Sequence, residues 1–158
     1  MSAVEDRLKE LGLTVPEVAK PVAAYVPALQ DGRRVYTSGQ LPMVAGELAA
    51  IGKVGHGEGL VAPEKAAELA ELCALNAIAA VKSVVGDHDK VTQGVKVVGF
   101  VASDPSVTGQ PGVINGASEL LGRAFGDAGV HARSAVGVAV LPLDAPVEVE
   151  IVVALADE

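Results

Sequence analysis

Aromatic residues make up only 3% of this chain of 158 residues: two tyrosines, two phenylalanines and no tryptophan. A core without large rings must be built from Val, Ala, Leu and Ile. With 50% of the chain hydrophobic there is enough of them to fold one domain without covalent staples. A single cysteine, Cys73, excludes an internal disulfide and fits a reducing, cytoplasmic compartment. No apolar run is long enough to span a bilayer and no signal peptide is evident, so no membrane role is expected. Positive charge is scarce, 12 Lys and Arg against 20 Asp and Glu, a net charge of −8. That balance argues against a nucleic-acid partner, which calls for a basic patch; Arg33 and Arg34 form the one adjacent pair. His56, His88 and His131 match no metal-ligand spacing, so no metal is expected. "GKVGHGEG" (residues 52–59) lacks the Lys-Ser/Thr ending of a phosphate-binding loop and reads as a flexible loop. No G-x-S-x-G or Ser/His/Asp pattern is present.

What is present is strong periodicity with clear punctuation. Ser2 and Glu5 have capping-box spacing, and Val4, Leu8 and Leu11 share one face of a short first helix that ends at Gly12. Residues 1–20 read as that helix and a proline-punctuated linker, and residues 21–158 as the single domain. Residues 22–42 read as two strands around a turn at Asp31-Gly32. Residues 43–59 are glycine-rich and irregular. Pro63 opens a long helix that Gly86 stops, with Leu69, Leu72, Cys73, Asn76, Ala80 and Val84 on one stripe. Cys73 on that stripe reads as inert core. "VTQGVKVVGFVAS" is a strand with a bulge expected at Gly94 or Gly99, and "GVINGASELLGRAFG" is a second long helix. The resulting order, β-β-α-β-α-β-β, predicts a two-layer α+β or α/β domain with helices on one face of the sheet. The other sheet face is expected to meet another subunit.

"VHARSAVGVAVLPLDAPVEVEIVVA" (residues 130–154) is the stretch that bears on function, because an otherwise aliphatic run carries an arginine and two glutamates. Buried charges need partners, since desolvating an ion costs several kcal/mol. The run reads as a hairpin with "PLDA" between its arms, in the register 140 to 147, 138 to 149 and 136 to 151. That register gathers the branched residues on one face. It leaves Arg133, small residues, Glu148 and Glu150 on the other, as a pocket floor would. Arg133 and Glu150 are then roughly 13 Å apart, at about 3.3 Å per residue. A small anion between them, with or without a neighbouring subunit, or an ion pair of Arg133 with Glu148 or Glu150, would each satisfy the arginine.

"VYTSGQLP" (35–42), "VINGASELL" (113–121) and "ARSAVGVAVLP" (132–142) followed by "VEVEIVVA" (147–154) resemble the RidA family, also called YjgF/YER057c/UK114 or endoribonuclease L-PSP. The resemblance covers residues 21–154. It implies a chorismate-mutase-like α+β fold, a homotrimer with clefts between subunits, and cofactor-independent hydrolysis of reactive enamine and imine acids to 2-keto acids and ammonia. Arg133 takes the place of the arginine that clamps the substrate carboxylate, and Glu150 that of the glutamate proposed to orient water. Tyr25 matches the tyrosine ahead of the second strand, Asn115 the helix asparagine of the cleft, and Ser38 and Gly39 its wall. Ala135 stands where many members have cysteine, and His131 where many have proline. The chain is also longer, in the first helix and in residues 43–59 and 104–112. The expected functions are therefore an imine deaminase, a non-catalytic binder of small carboxylates, or, against the charge balance, an endoribonuclease.

Overall fold

The computed structural model describes residues 2–21 and 23–157. The first helix, α1 (Ala3–Glu10), starts where the sequence says. The Ser2 hydroxyl accepts from the Glu5 N–H at 3.1 Å, and the Ser2 N–H donates back to the Glu5 carboxylate at 3.4 Å. Val4 and Leu8 are buried; Leu11 is instead the exposed C-cap. An ion pair between Glu5 and Lys82 ties this helix down and holds the Glu5 carboxyl below its usual range.

Strands β1 (Ala28–Asp31) and β2 (Arg34–Thr37) form the expected hairpin, with Gly32 at φ 60° in its turn. The "irregular" segment holds a two-residue hairpin of its own, β3 (Met43–Val44) with β4 (Glu47–Leu48). Ala45 and Gly46 turn it in the left-handed region, at φ 52° and 84°. Nor is the glycine-rich loop after it loose. Val54 donates to the Ala102 carbonyl at 2.7 Å and accepts from the Asp104 N–H at 2.9 Å, so it pairs in parallel beside the end of the next strand. Helix α2 (Pro63–Val85) runs from its proline to Gly86 as expected. A short 3-10 turn, His88–Lys90, capped by Asp87, leads into β5 (Val91–Ala102). The register of β5 shifts between Val91 and Gln93 and between Gly94 and Lys96, so it bulges beside Gly94. Gly99 sits in regular ladder, where a Cβ would lie 2.5 Å from Ile114. Helix α3 (Gln110–Phe125), β6 (Ala132–Val138) and β7 (Val147–Leu155) complete the chain.

The sheet order is β1-β2-β7-β5-β6. The predicted hairpin of the last two strands does not form. β6 pairs parallel with β5, with Arg133 opposite Val97, while β7 pairs antiparallel with β5 on the other side, with Glu150 opposite Val98. The reason is the helix between β5 and β6: a strand, helix, strand unit closes as a crossover to a parallel neighbour. Pro142–Asp144 is then a 3-10 turn within a crossing over the end of β5, with Leu143 and Asp144 at φ 59° and 60°. Helices α2 and α3 cover one face of the sheet and pack on each other. They approach so closely at Gly116 that a Cβ there would lie 1.9 Å from the Ala67 carbonyl oxygen. The architecture is the expected two-layer α+β fold with a short extra N-terminal helix.

Directly paired residues share a face of a sheet. Val147, Val149 and Ile151 of β7 are buried under the helices with Val97 and Val101. Glu148 and Glu150 therefore face the other way, with Val98 and Phe100. That open face also carries Val136, 44% exposed.

Candidate functional site

Arg133 shares its row with Val97 and Ile151, so it points to the helix side, at the sheet edge, against α3. Glu150 points to the opposite side. The pocket floor holding Arg133, Glu148 and Glu150 together is thus not formed within one chain, because the inserted strand β5 changes which residues share a face. The ion-pair alternative fails with it. The ion pairs among the described residues are Arg33–Asp157, Lys65–Glu68 and Lys82–Glu5, and none involves Arg133.

Helix α3 instead holds the guanidinium with neutral acceptors. Arg133 Nη1 donates to Asn115 Oδ1 at 2.8 Å and to Ser118 Oγ at 3.2 Å, and Nη2 donates to the Pro111 carbonyl at 3.3 Å. Asn115 and Ser118 stand three apart on the helix and share a face. A guanidinium has five N–H donors. Among the described residues, Nε–H and one Nη2 N–H have no acceptor. Those are the donors of a side-on fork for a carboxylate. The half-buried cation is thus oriented by α3, and no carboxylate among the described residues neutralises it.

His131 joins the same cluster. Its Nε2 is 2.8 Å from Ser118 Oγ and its Nδ1 is 2.6 Å from the Gly129 carbonyl oxygen. Ala135, next on the helix face of β6, is partly buried against the core and offers no polar group. So the structure brings Arg133, Asn115 and His131 together, with Ser118 between them. Sequence reasoning passed over Ser118; its spacing from Asn115 was the available signal.

The remaining residues form a second group at the other end of the sheet. Tyr25 precedes the first strand, not the second, and it lines a depression with Lys20, Pro27, Gly39, Gln40 and Leu41. Ser38 donates its hydroxyl to the Val26 carbonyl at 2.5 Å and its N–H to the Pro27 carbonyl at 2.8 Å, closing this wall. The buried Asn76 amide supports it from α2, donating to the Leu41 and Met43 carbonyls at 3.0 Å each. Gly39 leaves room for Glu148, since a Cβ there would lie 1.8 Å from Glu148 Oε1. Burial, and to a lesser degree the neighbouring Glu150, raise the Glu148 carboxyl above its usual range. Cys73 is buried 3.8 Å from the Val147 carbonyl, and burial pushes its thiol far up, as inert core requires.

Two groups of site residues thus lie apart in one chain. Strands β2 and β6 are three steps apart in the sheet, about 14 Å at roughly 4.8 Å per step. Among the described residues no three His, Cys, Asp or Glu side chains gather as a metal site, and no helix is long and apolar enough to cross a membrane.

A protein of Trypanosoma cruzi, TCP17, is 39% identical over 159 residues, 96% of this chain and 94% of its own. The crystal structure of Atu1372 from Agrobacterium tumefaciens, a protein of unknown function, is 44% identical, covers 98% of this chain and 93% of its own, and superposes with a TM-score of 0.89. The YjgF protein of E. coli is more distant, 26% identical over 87% of this chain and 93% of its own, with a TM-score of 0.64. The sequence profile of the family described as "YjgF/chorismate mutase-like, putative endoribonuclease" matches residues 5–155, so this chain belongs to the YjgF/chorismate mutase-like family.

Proposed function

We propose that this protein is a cofactor-independent hydrolase of small imino acids, of the 2-iminopropanoate type, giving 2-keto acids and ammonia. The observation that carries the reading is Arg133: three neutral acceptors orient it, no carboxylate among the described residues pairs with it, and two donors remain for an anion. A small carboxylate fits that fork. The reaction asks little more than a held anion, an oriented water and a group to move protons.

In this reading the site is completed by a second copy of the chain, in a homotrimer. The Arg133 group of one copy faces the Tyr25, Ser38, Gly39 and Glu150 group of the next, with Glu150 orienting the water. Two features support it: the two groups are separated within one chain, and the open sheet face leaves Val136 and its neighbours uncovered. The net charge of −8 disfavours RNA as substrate, whatever the family's name suggests.

The test generates 2-iminopropanoate with an amino-acid oxidase and traps it with semicarbazide. Less trapped product with the protein than without, and no such effect from Arg133→Ala, is expected. If neither 2-iminopropanoate nor larger imino acids are consumed while pyruvate still binds, the site is a carboxylate-binding site without turnover.

A further inference from the structure

We infer that Ser118 and His131 form a proton relay opening on the Arg133 anion site, with Ser118 the catalytic residue that meets the ligand. The inference rests on the hydrolytic reading above and adds Ser118 to it, with a role for His131 that depends on their contact. It begins with a carbonyl oxygen, which only accepts. At 2.6 Å from Gly129 O, His131 Nδ1 must carry the proton. In the neutral imidazole Nε2 is then bare, and the Ser118 hydroxyl 2.8 Å away must donate to it. The same Ser118 oxygen accepts from Arg133 Nη1 at 3.2 Å. The hydrogen bonds therefore all run one way, from Arg133 through Ser118 to His131 to the backbone. A hydroxyl beside a base that a third group orients is the arrangement of an activated hydroxyl. Here a backbone carbonyl takes the orienting part usually played by a carboxylate.

Such a pair can attack carbon or pass protons, and the surroundings favour passing protons. Ser118 sits within α3, whose backbone N–H groups are engaged in the helix, so no pair of backbone donors faces an oxyanion. Arg133 also donates to one of the two Ser118 lone pairs, which lowers its nucleophilicity and leaves the other to accept a proton. In the hydrolysis, a protonated 2-imino acid lies with its carboxylate on Arg133, and water adds to the imine carbon. One water proton passes to Ser118 Oγ while the Ser118 proton passes to His131 Nε2, leaving a carbinolamine and an imidazolium. The imidazolium then returns its proton through Ser118 to the amino nitrogen. The C–N bond breaks, nitrogen keeping the electron pair, as the carbinol oxygen closes the C=O bond. Its proton leaves with the nitrogen, as ammonium.

The relay works only with a neutral imidazole at the outset. Of the charged groups near His131, Arg133 on β6 shares the Ser118 hydroxyl with it, while Lys96 on β5 lines the same depression but sends its ammonium to Ser134 on the open face. Asp127 lies in the turn before β6 and Glu119 follows Ser118 on α3. No described carboxylate makes an ion pair with His131.

The experiment follows imine consumption against pH for wild type, Ser118→Ala and His131→Ala, with thermal melting and pyruvate binding measured on each. Both variants should lose kcat on the order of 10²-fold with little change in KM. The acid limb of the wild-type profile should vanish in His131→Ala, and added imidazole should restore part of that variant's rate but none of the rate of Ser118→Ala. A purely structural pair would give neither the lost limb nor the rescue. Variants that retain kcat and the acid limb overturn the relay and leave the hydrolytic reading standing. Wild type that binds pyruvate yet consumes no imino acid overturns both. Should a variant fold poorly, NMR titration of the His131 ring in wild type decides: pyruvate must move its titration curve, and an unmoved curve overturns the relay.

Discussion

Replacing Arg133 separates anchoring a ligand from anchoring the fold. Three hydrogen bonds join its guanidinium to α3, one short at 2.8 Å and two long at 3.2 and 3.3 Å. The side chain is half-buried at the sheet edge, so water can replace much of what is lost, and Arg133→Ala should cost under about 1 kcal/mol of stability. For a chain of this size that is a fall in Tm of about 2–4 °C. The two donors left for a carboxylate make charge-assisted bonds worth about 1.5–3 kcal/mol each, so the same change should weaken small-carboxylate binding by roughly 10²–10⁴-fold. Arg133→Lys keeps the charge but not the fork and should recover only part of the affinity. Pyruvate titration followed by NMR and thermal melting read the two quantities on the same samples. A Tm drop of about 8 °C or more, with pyruvate affinity within a factor of about three of wild type, would refute the reasoning and make Arg133 a structural residue.

Glu148 has a folded-state pKa above its ordinary value, so its ionised form destabilises the fold and the penalty is relieved as pH falls through that pKa. Glu148→Gln should therefore melt higher than wild type at neutral pH, the gain shrinking on acidification; a gain independent of pH would refute this. Gly116→Ala forces a methyl group towards the Ala67 carbonyl and should separate α2 from α3 at a cost of about 1–3 kcal/mol or more, read by urea denaturation. Ser2→Ala removes the acceptor for the Glu5 N–H and should lower stability by about 1 kcal/mol in the same measurement. Val136→Asp places a charge on the open sheet face; light scattering should show a smaller species than wild type, with an unchanged circular dichroism spectrum.

The hairpin error shows where reading a sequence stops. β6 and β7 both alternate, and a pairing that gathers all their valines is the best one two strands can make alone. The chain instead lays β5 between them, because α3 makes β5 and β6 parallel neighbours. One inserted strand was enough to put Arg133 and Glu150 on opposite faces. Ser118 was missed for a related reason. Nothing in a helical serine announces that a histidine 13 residues later will return to within 2.8 Å of it.

Local physics was legible in the sequence. The capping box at Ser2 and Glu5, the proline start and glycine stop of α2, the β1–β2 turn and the aliphatic core follow from interactions spanning a few residues, each with its own sequence signature. The resemblance in residues 35–42, 113–121 and 132–154 named the family because those segments hold its motifs in order. Strand order, the faces on which charges point, and the company of Arg133 were decided by the tertiary structure. They depend on contacts between residues distant in the chain, where periodicity says which side chains share a face of their own strand but not what that face will meet.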